Sequence, residues 1–344
     1  MNSFSKNISL VVIILVCVAG CGRHDTHTFR QTHMGTYADI TIRQEDFAQP
    51  HVTEAVNEAF REIERIDHLM SSFRADSVIS RINRTPRETP VQLSPDVLAV
   101  FREAIRLYSL TKGAFDITVG PLVRQWGFYS QEIVHSLPHA EEIQKALEVV
   151  GTKYLVLQPE TESFYLEKDG MEIDVAGLAK GYAVDRAIEA IRAHGVRSAL
   201  VNCGGDIYCL GAKSEQDPWK VGIRHPRNQK KVIGLLRLVD TAVATSGDYE
   251  NFVTFGGERY SHIIDPRTGR PSSSRVIGVT VIAPQCVTAD GLATALFVMG
   301  ADEGMRLIET LPYIECIIIS EQKGSDELEI AISSGIGDRV TILR

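Results

Sequence analysis

The stretch that most constrains this chain is Glu172-Ile173-Asp174-Val175-Ala176-Gly177-Leu178-Ala179-Lys180-Gly181-Tyr182-Ala183-Val184-Asp185. It predicts a short apolar strand ending at Asp174, a turn of small residues, and a helix opening near Leu178. Ala176 and Gly177 leave the backbone almost uncovered, so a ligand can approach it closely. A helix N-terminus favours an anion, and Lys180 adds a positive charge within the first turn. Asp174 can accept a hydrogen bond from a base or hydroxyl, or help to hold a metal. The spacing fits a nucleotide-type ligand with its phosphate over the turn, although the same junction also serves as a plain connection.

With 344 residues the chain accommodates one large domain or two ordinary ones. Its net charge of -8 argues against non-specific nucleic-acid binding, which needs a basic surface. A polyanionic substrate would need local help from a metal or a few placed bases. At the N-terminus, Lys6 precedes an apolar run from Ile8 through Val18, too short to span a bilayer and of the right length for a signal segment. The run closes as Val18-Ala19-Gly20-Cys21, small residues before a cysteine that resemble a bacterial lipobox. The expectation is a lipoprotein signal peptide over 1–20, lipidation of Cys21, a polar tether over 21–32 and a folded body over 33–344. The body would then lie in the bacterial cell envelope, facing the periplasm and held by its lipid, most simply at the inner membrane. Cys203, Cys209, Cys286 and Cys316 remain in it, but no spacing fixes a disulfide pairing or suggests zinc. Cys203 and Cys209 flank a Gly-Gly and are candidates for proximity.

Along the chain, alternation at Tyr37, Ile40 and Ile42 predicts an edge-like strand over 36–42. A helical apolar stripe runs over 53–70, and Ser94-Pro95 opens a second helix that lasts to about 110. Further helices are predicted over 141–150, 178–192, 289–299 and 302–310. Strands are predicted over 154–157, 164–166, 198–202, 207–210, 220–224, 233–239, 276–282 and 314–320, with a Gly256-Gly257 hairpin between 252–255 and 259–264. Strands and helices interleave without a repeat, which gives an α+β reading with mixed sheets and packed helices in one domain.

Four further stretches carry chemistry. In Thr288-Ala289-Asp290-Gly291-Leu292-Ala293-Thr294, Asp290 and Thr294 share a helix face and offer hard oxygens suited to magnesium beside a phosphate; the plainer alternative is that Asp290 caps the helix. In Tyr260-Ser261-His262-Ile263-Ile264-Asp265, His262 can act as a base or donor at a site mouth, or stand as a structural histidine. Thr245-Ser246-Gly247-Asp248 can approach a phosphate or simply turn the chain, and Gly204-Gly205-Asp206 allows close backbone approach or a bulge.

Taken in order, these stretches resemble the ApbE family, the FAD:protein FMN transferases. Met34-Gly35-Thr36, Phe73-Arg74-Ala75-Asp76-Ser77 and Phe115-Asp116-Ile117-Thr118-Val119-Gly120-Pro121-Leu122 match as well, so the resemblance runs from Met34 to about Gly300. It implies an ApbE-like, T-fold-like α+β catalytic domain. It implies that Met34, Phe73, Ala114, Phe115, Asp116, Asp174, Lys180 and Ile264 hold FAD, and that His262 is catalytic. It also implies Mg2+ held by Asp290 and Thr294, with backbone oxygens from Gly177 and Ala293. Two departures stand out: Phe73 where relatives often have tyrosine, and Ala176-Gly177 where they commonly have Gly-Gly. The implied reaction moves FMN from FAD, the substrate, to a threonine or serine hydroxyl of an acceptor protein and releases AMP. Acceptors in the family belong to membrane redox complexes such as sodium-pumping quinone reductases. FAD pyrophosphatase activity and non-catalytic flavin binding are the alternatives.

Overall fold

The structure, a computed structural model, describes residues 26–343 apart from 48, 130–135, 215–216 and 323–326. The expected signal peptide, Cys21 and the first residues of the tether lie outside the described residues. The fold is built on one antiparallel sheet of eight strands. In chain order these are β1 (Thr26–His33), β2 (Thr36–Arg43), β3 (Ala199–Cys203) and β4 (Asp206–Leu210), then β7 (Thr241–Gly247), β8 (Val276–Ala283), β9 (Glu315–Glu321) and β10 (Leu328–Ile332). They stand in that same spatial order across the sheet. Strands β5 (Trp219–His225) and β6 (Asn228–Leu238) pair with β11 (Val340–Ile342) in a second sheet of order β11-β6-β5.

Strand alternation sorts the side chains onto two faces. Ala38, Ile40, Ile42, Val201, Cys203, Ala242, Ala244, Val279 and Val281 face the helices in the main core. Cys209, Val243, Ile282, Ile317 and Ile319 face the small sheet, with Trp219, Val221 and Leu236 opposite them. Every residue of β8 is buried, as expected of a strand covered on both sides.

The helical layer has three principal members. In α1 (Pro50–Met70), Ala55, Val56, Ala59, Phe60, Ile63 and Ile66 form one buried stripe at helical spacing, and Pro50 stands at its first position. α3 (Ala176–Ala193) packs along it, and α4 (Cys286–Met299), apolar on nearly all sides, fills the space between α3 and the sheet. The helix α2 (Pro95–Leu110) covers them from outside, capped by Ser94, whose Oγ accepts from the Val97 amide.

Several boundaries differ from the sequence expectation. Residues 26–32, expected as tether, form most of β1, an edge strand whose partial exposure lets it be polar and hides its period. The expected edge strand is an interior one: β2 lies between β1 and β3, with Ala38, Ile40 and Ile42 inward while Tyr37 is 60% exposed. The expected strand before Asp174 reduces to a single parallel bridge between Val119 and Glu172. α4 starts at Cys286, three residues before the expected Ala289, because Asp185 on α3 caps it: its carboxylate accepts from the Cys286 and Val287 amides at 2.8 and 2.9 Å. Asp290 is therefore no helix cap. Cys203 and Cys209 point to opposite faces of the sheet, and all four described cysteines are buried free thiols.

Candidate active site

The site forms where α3 and α4 begin, against the end of the sheet that carries the β3–β4 turn. The two helices meet at Gly181, where a β-carbon would lie 2.5 Å from the Cys286 carbonyl oxygen. That absent side chain lets Asp290 reach across, and its Oδ2 accepts from the Gly181 amide at 3.1 Å. In a regular helix this amide would bond to the Gly177 carbonyl, so Asp290 competes for the donor that would otherwise occupy that oxygen. One residue earlier, the Lys180 ammonium lies 3.7 Å from Asp290 Oδ2 and 2.8 Å from Asp206 Oδ2. Asp206 comes from the start of β4, so three elements converge on one amine.

Charge in this cluster is unbalanced. Burial pulls the Lys180 amine down, but Asp206 and Asp290 more than offset it and hold the amine well above its ordinary value. Asp206 is raised by burial and by the Asp290 charge, against the pull of Lys180. Its Oδ2 makes the ion pair with Lys180 but has no aligned hydrogen-bond donor. Glu250 nearby is raised by burial, with Lys180 and Arg224 opposing. One partly buried amine thus faces an excess of carboxylates.

On the next turn of α4 the Thr294 hydroxyl lies 3.3 Å from the Ser246 hydroxyl at the end of β7. A β-carbon on Gly177 would stand 3.4 Å from Thr294 Oγ1 and 3.2 Å from the Phe115 ring. Gly177, Thr294, Ser246 and Phe115 therefore surround one point, beside Asp290 and the buried Ala293. A carboxylate, two hydroxyls and a backbone carbonyl are hard oxygen donors, and with the surplus negative charge they suit Mg2+. No group of three or more His, Cys, Asp or Glu side chains that could hold a metal occurs among the described residues. The expected set needs none, since only one of its members is a carboxylate.

The loop 113–118 is held by its own residues and by Thr152. The Asp116 carboxylate accepts from the Thr118 amide and hydroxyl and from the Thr152 hydroxyl and amide, at 2.7 to 3.1 Å. The carboxylate of Asp116, a residue expected at the ligand, is buried in these four bonds. Ala114 and Phe115 are buried beside it, and the Phe115 ring lies at Gly177. Ile264 is likewise buried, in a satellite core with Leu122, Trp126 and Ile143, so its side chain packs rather than projects. Met34 sits in the β1–β2 turn with a positive φ of 52° and partly packs on the main core.

Asp174 begins the turn as expected: its Oδ1 accepts from the Ala176 amide at 2.8 Å, and its own amide donates to the Ile117 carbonyl at 2.7 Å. Its Oδ2 accepts from the Tyr129 hydroxyl at 2.6 Å. Phe73 is 75% exposed, with its ring edge-on to Tyr129 at 6.0 Å between centroids. Tyr129 was missed by the sequence reading. Tyr129, which follows Trp126-Gly127-Phe128, places a phenol beside the Phe73 ring. Asp206 was also missed as a site residue, because only its fold neighbours reveal the lysine it holds.

His262 follows the 258–261 strand, half-buried, with the Phe128 ring 6.4 Å away. Its Nδ1 lies 2.9 Å from the Asn251 carbonyl oxygen, an acceptor, so Nδ1 carries the proton and Nε2 keeps its lone pair. Burial holds the ring below the ordinary histidine value, Lys180 adds to this, and the Asn251 bond and Asp174 oppose it. The neutral imidazole is the form a general base requires.

The chain and its fold are similar to those of known proteins. The profile of the ApbE family matches residues 34–318. The chain is 36% identical to the FAD:protein FMN transferase of Vibrio cholerae over 327 residues, 94% of this chain and 96% of that one. It is 34% identical to the protein of the same name from Haemophilus influenzae over 282 residues, covering 79% and 82% of the two chains. The solved flavin transferase ApbE from Vibrio cholerae superposes with a TM-score of 0.81 at 35% identity, covering 90% of this chain and 98% of that one. The crystal structure of the Thermotoga maritima ApbE protein does so with a TM-score of 0.81 at 32% identity, covering 90% and 97%.

Proposed function

The chain belongs to the ApbE family, and from that premise we propose that it is an Mg2+-dependent FAD:protein FMN transferase. The observation that carries the reading is Lys180 and Asp290, 3.7 Å apart at the Gly177 turn: a cation for phosphate oxygens beside a carboxylate for a metal. Asp290, Thr294 and the carbonyls of Gly177 and Ala293 would hold Mg2+, which when bound neutralises charge on the bridging oxygens of a pyrophosphate.

The chain's own residues do the rest. The Phe115 and Phe73 rings and the Asp174 carboxylate position the flavin nucleotide. Lys180 faces its phosphates. A threonine or serine oxygen of the acceptor protein bonds to the FMN-side phosphorus, and the phosphoanhydride bond to AMP breaks. AMP leaves with the bonding electron pair, and the hydroxyl proton passes to His262 Nε2. The acceptor fits a flavin-carrying subunit of a membrane redox complex, such as a sodium-pumping quinone reductase. The Val18-Ala19-Gly20-Cys21 sequence supports anchoring of the enzyme through lipid on Cys21, facing the periplasm.

The test is incubation with FAD, Mg2+ and a purified acceptor domain of such a complex, followed by a denaturing gel scanned for covalent flavin fluorescence. A fluorescent acceptor band with stoichiometric AMP supports transfer. AMP with free FMN and no band identifies a pyrophosphatase, and no AMP at all identifies a flavin binder. Asp290→Ala should abolish AMP release while some FAD stays bound; unchanged turnover rejects the metal assignment.

A further inference from the structure

On the face of the large sheet away from α3 and α4 lies a cleft of about 680 Å3 that holds none of the residues assigned above to FAD or Mg2+. The small sheet covers this face only in part, and the uncovered remainder, over β2, β3 and β4, is the cleft floor. Its wall is unusual. Five consecutive residues of β5, Lys220 through Arg224, all line it. Side chains on a strand alternate between faces, so an unbroken run can line a cavity only through the strand's edge. β5 is the outer strand of its sheet, and among the described residues no strand pairs with that edge. Gly222, in the middle, leaves the backbone uncovered there.

Charged residues on an edge are ordinary protection against aggregation. This edge differs in that it looks into a groove with a floor, and in that Arg224, unlike Lys220 with Asp217, has no ion-pair or hydrogen-bond partner among the described residues. The groove also has a direction. Trp219, before the Lys220 end, donates to the Leu210 carbonyl at the far end of β4. Arg224, at the other end, stands with Tyr249 and Glu250 in the cleft lining, and Glu250 feels the charges of Arg224, Lys180 and Asp290. The strands β4 and β7 are shared walls: Ile207 and Thr245 line the cleft, while their chain neighbours Asp206 and Ser246 face Lys180 and Thr294.

We propose that an extended segment of the acceptor protein docks along the open edge of β5 as an added strand, with an acidic side chain on Arg224, and so delivers its hydroxyl at the Glu250 end. This rests on the transferase reading above and deepens it. Backbone pairing along five residues, about 17 Å of strand, supplies sequence-tolerant affinity, and Arg224 supplies the one charge requirement. Entry from this face leaves the turn at Gly177 free for FAD, so acceptor and donor need not share an opening.

The test uses the full chain, FAD, Mg2+ and synthetic decapeptides with one threonine and one aspartate at varied separation, scored by mass spectrometry for gained FMN. The expected result is labelling that depends on one separation between the two residues. Arg224→Glu should lower labelling of the best peptide at least tenfold and Arg224→Gln by less, with FAD affinity by flavin fluorescence within twofold of the parent. A peptide with lysine in place of its aspartate should recover labelling with Arg224→Glu and not with the parent. Equal labelling by the parent and Arg224→Glu, or no dependence on the aspartate, overturns the docking alone. AMP release with no peptide labelled by the parent overturns both this proposal and the transferase reading. Loss of FAD binding in both variants would place Arg224 in the donor site and overturn it too.

Discussion

Gly181→Ala tests the packing on which the site depends. In a helix interior this change ordinarily gains about 1 kcal/mol, since alanine loses less backbone freedom than glycine on folding. Here the new methyl would stand 2.5 Å from the Cys286 carbonyl oxygen, 2.7 Å from its carbonyl carbon and 2.8 Å from Val287 Cα. All three are backbone atoms at the capped start of a buried helix, so none can rotate aside. Restoring an ordinary separation of about 3.5 Å moves α3 and α4 apart by roughly 1 Å. Overpacking of this kind costs about 1–3 kcal/mol. The same displacement breaks the bond from the Gly181 amide to Asp290, and hydrogen bonds to charged groups contribute about 1.5–3 kcal/mol. Against the propensity gain, the net loss is about 2–4 kcal/mol, or on the order of 3–6 °C in Tm for a chain of this size. The assay is thermal unfolding of parent and variant, with Gly278→Ala as control, since a methyl there meets only Ile319 Cδ1 at 3.9 Å. Mg2+ affinity by calorimetry should fall in the same variant, because Asp290 loses the amide that orients it. A Gly181→Ala protein as stable as the parent, with unchanged Mg2+ affinity, would refute both the close approach and its role in aiming Asp290.

Asp206→Asn should raise the Mg2+ concentration for half-maximal activity by about tenfold, because Lys180, released from its 2.8 Å partner, would pair with Asp290 instead; an unmoved Mg2+ titration would count against this. His262→Ala should slow transfer by roughly two to four orders of magnitude with FAD affinity retained. An effect under about tenfold moves the base elsewhere. The pH dependence follows from the lowered histidine value: the base is neutral above it, so activity should hold as pH falls through 6.5 and fail only below. An acid limb in kcat/KM above 6.5 that disappears in His262→Ala contradicts the lowered value and the neutral ring. Cys21→Ser should move the protein from the membrane to the soluble fraction, and continued membrane association would point to an uncleaved N-terminus.

The order of helices and strands was legible because the chain's strongest patterns are local. The stripe of α1, the Ser94-Pro95 start of α2 and the Gly256-Gly257 hairpin each follow from spacing or capping within one segment. Boundaries failed where a distant residue set them, as Asp185 does for α4, or where exposure erased the period, as in β1.

The amino-acid sequence by itself determined which residues could do the chemistry: a lysine at a small-residue turn, an aspartate and threonine one helical turn apart, and a histidine before a tight turn. Short-range chemistry of this kind is written in neighbouring letters. Only the tertiary structure decided which of them meet. It put Asp206 on Lys180, set Tyr129 between Phe73 and Asp174, tied Asp116 to Thr118 and Thr152 and left the edge of β5 open over a cleft. Each of these depends on strands and helices far apart in the chain packing side by side, and no local pattern specifies that.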